Sequence, residues 1–177
     1  VNGSGANLAG CAGCVGDCCR NYKVGVTVSD MRRLAAGMSL NLREFTSLLE
    51  DEQDGFRLSR DGPTLDLHLR HRPVSRGCVF LMEIAQGKAR CGAYAHRPLV
   101  CSKFPTTLER VSVIRGDTVC GPNSWNLAAM DLTSYQPDLT RNKAAWSEHI
   151  RIVRIWSATV EDPLSGSSTR SALRIPA

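Results

Sequence analysis

The segment Cys11-Ala-Gly-Cys14-Val-Gly-Asp-Cys18-Cys19 places four of the chain's eight cysteines within nine residues. Ionised thiols are strong ligands for zinc and for iron–sulfur clusters, and a CxxC spacing turns two of them toward one metal. The small residues between the cysteines let the backbone fold closely round an ion or cluster. Cys14 and Cys18 are four apart, so in a helical segment they share a face. Cys19 points elsewhere, because adjacent residues diverge in any regular backbone. Cys18 and Cys19 therefore either serve two neighbouring centres or divide into one ligand and one supporting thiol. Cys78, Cys91, Cys101 and Cys120 return later in the chain to complete the donor set.

Disulfides are the competing use of an even cysteine count. A chain of 177 residues can bury a core without such staples. A Cys18–Cys19 bridge would be strained, since adjacent Cα atoms lie only about 3.8 Å apart. One CxxC, four remote cysteines and no histidine at ligand spacing favour an iron–sulfur centre, [4Fe–4S] first, over zinc. All eight cysteines form the expected metal set. If a single centre exists, its ligands are expected to be Cys11, Cys14, Cys18 or Cys19, and Cys91 or Cys101. Arg97, in the same stretch as Cys91 and Cys101, is expected either to donate to cluster sulfurs or to hold a carboxylate elsewhere. His68 and His71 read as exposed strand and loop residues. No Ser/His/Asp or Cys/His nucleophile set is recognisable, so no catalytic residue is assigned.

The elements that must position these donors are short. Residues 24–28 alternate and are β-branched, which predicts a strand. Ser29 is then the expected N-cap of a helix with Asp30 in its first turn, Met31, Leu34 and Ala35 on its apolar face and Gly37 just past its end. Asn41 caps a second helix from Leu42 to about Glu50, giving a helix pair. Strict alternation over Thr64–Arg70 predicts a strand paired through Asp61-Gly62-Pro63 with Phe56–Arg60. Cys78–Met82 and Ala89–Tyr94 flank a turn at Gln86-Gly87-Lys88, which puts Cys78 and Cys91 on one hairpin. Pro98 opens a short helix that carries Cys101, and Pro105 ends it. Thr107–Ile114 alternates as a further strand, and Cys120 falls in a loop before Gly121-Pro122. A long helix is expected from about Leu139 to Val160, with Trp146, Ile150, Val153 and Trp156 on one face.

The fold class that follows is α+β: a small metal-centred domain with short antiparallel hairpins, several helices and a long C-terminal helix. Its expected organisation is a flexible arm over 1–10, the cysteine domain over 11–125, a helical extension over 126–161 and a flexible tail over 162–177. A net charge of +5 with scattered basic residues does not point to nucleic acid. It can instead offset the negative charge of thiolate-bound metal. No apolar run approaches the roughly 20 residues of a membrane-spanning helix. A cytoplasmic protein is expected, although a start at Val1 rather than Met leaves room for a segment removed before it.

The ordered set Cys11-xx-Cys14-xxx-Cys18-Cys19, Val26-Thr27-xx-Asp30-xx-Arg33-Leu34, Cys78-xx-Leu81 and Cys91-xx-Tyr94-xx-Arg97-Pro98-xx-Cys101-xx-Phe104-Pro105 resembles the bacterial YkgJ-type cysteine-cluster family, described as zinc- or iron-chelating. The resemblance covers roughly residues 11–125. The family usually has Arg directly after the cysteine matching Cys101, where this chain has Ser102 and then Lys103. A similar cysteine cluster occurs in flagellin lysine N-methylases, where it is thought to hold an iron–sulfur centre. The resemblance implies cysteine-bound metal and leaves three function classes open. These are an iron–sulfur redox or accessory subunit of a larger enzyme or assembly, a zinc-stabilised protein-interaction module, and a methylase-like component that modifies proteins. No Gly-rich loop follows a strand to support the last of these. In each of the first two classes the partner is another protein.

Overall fold

Residues 14–50, 55–84, 87–104, 133 and 136–161 are described by the computed structural model. Cys11, Cys120, the expected strand 107–114, Pro105, the arm 1–10 and the tail 162–177 lie outside the described residues.

Gly16, at φ +85°, turns the chain into α1 (Asp17–Asn21), the short helix that carries Cys18 and Cys19. A β-carbon at Gly16 would stand 2.6 Å from Leu81 Cδ1, so only glycine lets this turn approach the later hairpin. The next helix, α2 (Val28–Met38), starts two residues earlier than the expected Ser29 cap allows. Thr27 is its N-cap: its side chain accepts from the Asp30 N–H, while Asp30 accepts from the Thr27 N–H, and both residues are buried. The alternating stretch before it forms only an isolated bridge at Gly25 rather than a strand, because the capping box draws Thr27 and Val28 into the helix. Gly37 does not end the helix. Ser39, at φ 54°, is the left-handed cap, and Gly37 is small because the His96 ring packs against it.

Asn41 caps α3 (Leu42–Phe45), with Glu44 closing the box, but that helix lasts one turn. Thr46–Glu50 is β1, paired antiparallel with β2 (Leu65–Leu69), Thr46 opposite Leu69 and Glu50 opposite Leu65. The expected helix pair is thus a helix followed by a hairpin strand. The alternating β2 needs an edge along its whole length, and the segment before Asp61 supplies only a Phe56–Leu65 bridge. The second hairpin joins β3 (Leu81–Glu83) to β4 (Ala89–Cys91), Leu81 facing Cys91, with Gly87 at φ +73° in the connection. Cys78 lies just before β3, in a bridge to His71, rather than on the strand itself. A 3₁₀ turn (Tyr94–His96) leads through Pro98 to α4 (Leu99–Lys103), and α5 (Gln136–Glu161) is the last element among the described residues.

The architecture is α+β, two small antiparallel hairpins among helices with a long C-terminal helix. Val26, Met31, Leu34, Phe45, Leu69, Phe80 and Ala93 build the core, and Cys78 belongs to it. Cys19, Cys91 and Cys101 pack against its edge. The core therefore grades into the thiol cluster, and the same apolar burial that holds the hairpins also holds the sulfurs. No helix among the described residues is long and apolar enough to cross a membrane.

Candidate metal centre

Backbone hydrogen bonds bring together cysteines that are far apart in sequence. The Cys78 N–H donates to the Cys19 carbonyl (2.7 Å), which ties α1 to the segment before β3. The Ala89 N–H donates to the Cys14 carbonyl (2.9 Å), which sets Cys14 beside β4 two residues from Cys91. Arg72 secures the same region by donating to the Val79 and Leu81 carbonyls. Arg33, on α2, pairs with Asp30 and donates to the Arg97 carbonyl (2.7 Å), fixing the chain just ahead of α4 and Cys101. Arg33 and Arg72 are positioning residues that their sequence context did not reveal. Asp30-xx-Arg33 stood out only as part of a motif, and Arg72 carried no signal.

Cys14, Cys18, Cys19, Cys78, Cys91 and Cys101 line one cavity of about 1020 Å³. All six are free thiols. The Gly16 N–H donates to Cys14 Sγ (3.2 Å), a backbone contact suited to a thiolate. Cys18 Sγ and Cys19 Sγ are 3.9 Å apart. The contact with Cys19 is the main cause that lowers the Cys18 thiol to about 7, while the contact with Cys18 and burial push Cys19 far above the usual thiol range. Burial pushes Cys78 up to about 11 and raises Cys91 and Cys101, with the neighbouring thiols adding to the rise at all three. These sulfurs thus stand close enough to oppose one another's ionisation. A bound cation would reverse that opposition and displace the protons.

The donor set suits zinc or iron in chemistry, since thiolates serve both. Its arrangement without metal is open. Among the described residues no three Cys, His, Asp or Glu side chains are already gathered about a single point. The thiols line part of the cavity wall instead, and a metal would draw them together. Arg97 lines the cavity, lies 3.8 Å above the Tyr94 ring, donates to the Tyr94 carbonyl and acts by its charge on Cys91 and Cys101. Lys103 is paired with Asp138 of α5.

The family model for CxxCxxCC, "Putative zinc- or iron-chelating domain", matches residues 10–132. The chain belongs to this family. The match ends before α5, so the helix with Trp146 and Ile150 in the cavity wall lies outside the matched residues. No curated protein and no solved structure matched the chain in the same comparisons.

The histidines depart from their expected settings. His68 is not an exposed strand residue: its side chain is 16% accessible and its Nε2 stands 3.4 Å from Asp66 Oδ2. His149, on α5, is 1% exposed and approaches Asp66 Oδ1 at 3.6 Å. The long helix covers this face of β2, which sequence alternation alone assigned to solvent. His71 is half-buried, with Nδ1 2.6 Å from the Arg76 carbonyl.

Proposed function

We propose that Cys14, Cys18, Cys19, Cys78, Cys91 and Cys101, together with Cys11 and Cys120, hold one or two iron–sulfur centres, [4Fe–4S] by preference, in a redox or accessory subunit of a larger enzyme or assembly. The observation that carries the reading is that six free thiols from separate segments line one cavity in a chain of a metal-chelating family. When bound, such a cluster supplies one-electron chemistry. The chain's own residues hold and tune it. Gly16 gives a backbone donor to Cys14. Arg97 places positive charge beside Cys91 and Cys101. The buried Cys78 and its apolar neighbours limit solvent at the sulfurs. Free thiols in this number suit a reducing compartment, which supports the cytoplasm.

Metal analysis with a visible spectrum of anaerobically purified protein tests the reading. A brown protein containing iron and sulfide is expected. A colourless protein that carries zinc and releases it on acidification would overturn the iron–sulfur assignment and favour a zinc-stabilised interaction module.

A further inference from the structure

The cavity has a wall without sulfur. Asn142, Lys143, Trp146, Ser147 and Ile150 of α5 face it, and α5 carries no cysteine. At about 1020 Å³ the space reaches the upper end of organic-ligand pockets, roughly 300–1,000 Å³. A zinc ion with sulfurs about 2.3 Å away occupies little of such a volume, and any thiolate-bound centre is confined to the part its sulfurs can reach. The charge is one-sided. Lys23, Arg90, Arg97 and Lys143 line the cavity, and no carboxylate does among the described residues. Arg97 acts on the thiols, whereas Lys143 stands on the sulfur-free helix. Trp146, Phe104 and Val100 supply apolar surface beside these cations.

We infer that the α5 side of the cavity binds a small organic anion, a carboxylate or phosphate with an apolar body, next to the metal centre. The apolar body lies against Trp146 and Ile150, and the anionic head meets Lys143, with Asn142 and Ser147 as neutral hydrogen-bonding groups. A low-dielectric pocket lined by one sign of charge concentrates the opposite sign. The inference rests on the cysteines holding metal, which leaves the sulfur-free part open to the ligand.

Fluorescence of anilinonaphthalene sulfonate, an anion with an apolar body, tests the site on the full-length protein purified with its metal. Saturable binding is expected, displaced by octanoate and not by octanamide. Lys143→Glu should weaken binding about tenfold, while Lys88→Glu, outside the cavity lining, should leave it unchanged. Lys143 is exposed, so the charge reversal spares the core. Equal displacement by octanamide, or equal binding by the Lys143 variant, would overturn the anion site. Metal content measured on the same samples separates that failure from failure of the metal assignment: metal-replete protein that binds no probe refutes only the anion site.

Discussion

Asp66 sits between two imidazoles, His68 on its own strand and His149 on α5. Burial opposes its ionisation, but the two histidines outweigh that and hold the carboxyl below the usual carboxylate range. A depressed carboxyl stabilises the folded chain above its unfolded pKa of about 3.9 and loses that contribution as pH falls below it. Asp66→Asn should therefore unfold at lower denaturant than wild type at pH 7, with the gap shrinking toward pH 3. A constant gap would show that ionisation of Asp66 is not the cause. At the metal, Cys19→Ala is expected to remove the centre or most of its occupancy, and full metal retention would exclude Cys19 as a ligand. The cysteines were legible because thiols at such spacing have few uses. His149 was not, because a lone histidine in a helix has no pattern to mark it, and only the docking of α5 on β2 buries it.

Two short elements place the N-terminal thiols. Gly16 adopts a left-handed turn against Leu81 and Ala89. Gly16→Ala should cost about 1–3 kcal/mol from backbone strain, plus the clash, and lower metal content by displacing Cys14 and α1. Denaturant unfolding with metal analysis reads both effects. Thr27→Ala removes one half of a buried capping box and should cost about 1 kcal/mol, with little change in metal content because the Thr27 N–H still holds Asp30, and Asp30 still holds Arg33. At this scale the sequence showed the capping residues of α3 and the alternation of β2 clearly. It did not show where helix gives way to strand at Thr46. Leu42, Phe45, Leu48 and Leu49 satisfy a helical spacing, and only the unfilled edge of β2 decides that the segment after Phe45 extends. Gly37 misled for a similar reason, since a glycine needed for contact with His96 looks like one needed for a turn.

Over the whole molecule, the sulfurs form one flank of the core and α5 closes the cavity from the other side. The helix is held along its length by Asp138 to Lys103, by His149 toward Asp66, and by Trp156 Nε1 donating to the Arg57 carbonyl (2.8 Å). Metal is then part of the folding energy. Stripping it with chelator under reducing conditions should lower the melting temperature by about 8–16 °C, the shift expected for a ligand present at about a thousandfold its Kd. An unchanged melting curve would show that the fold stands without it. The C-terminal helix was legible from its apolar spacing. Its place over the cysteines was not, because nothing local in its sequence names the surface it meets. Its position in the chain also sets an order of events during synthesis. Cys120, the last cysteine, leaves the ribosome 41 residues before the end of α5. At about 5–20 residues per second that is an interval of about 2–8 s. For those seconds the six thiols that line the cavity exist without the helix that forms its other wall, so metal can reach them from a side that later closes.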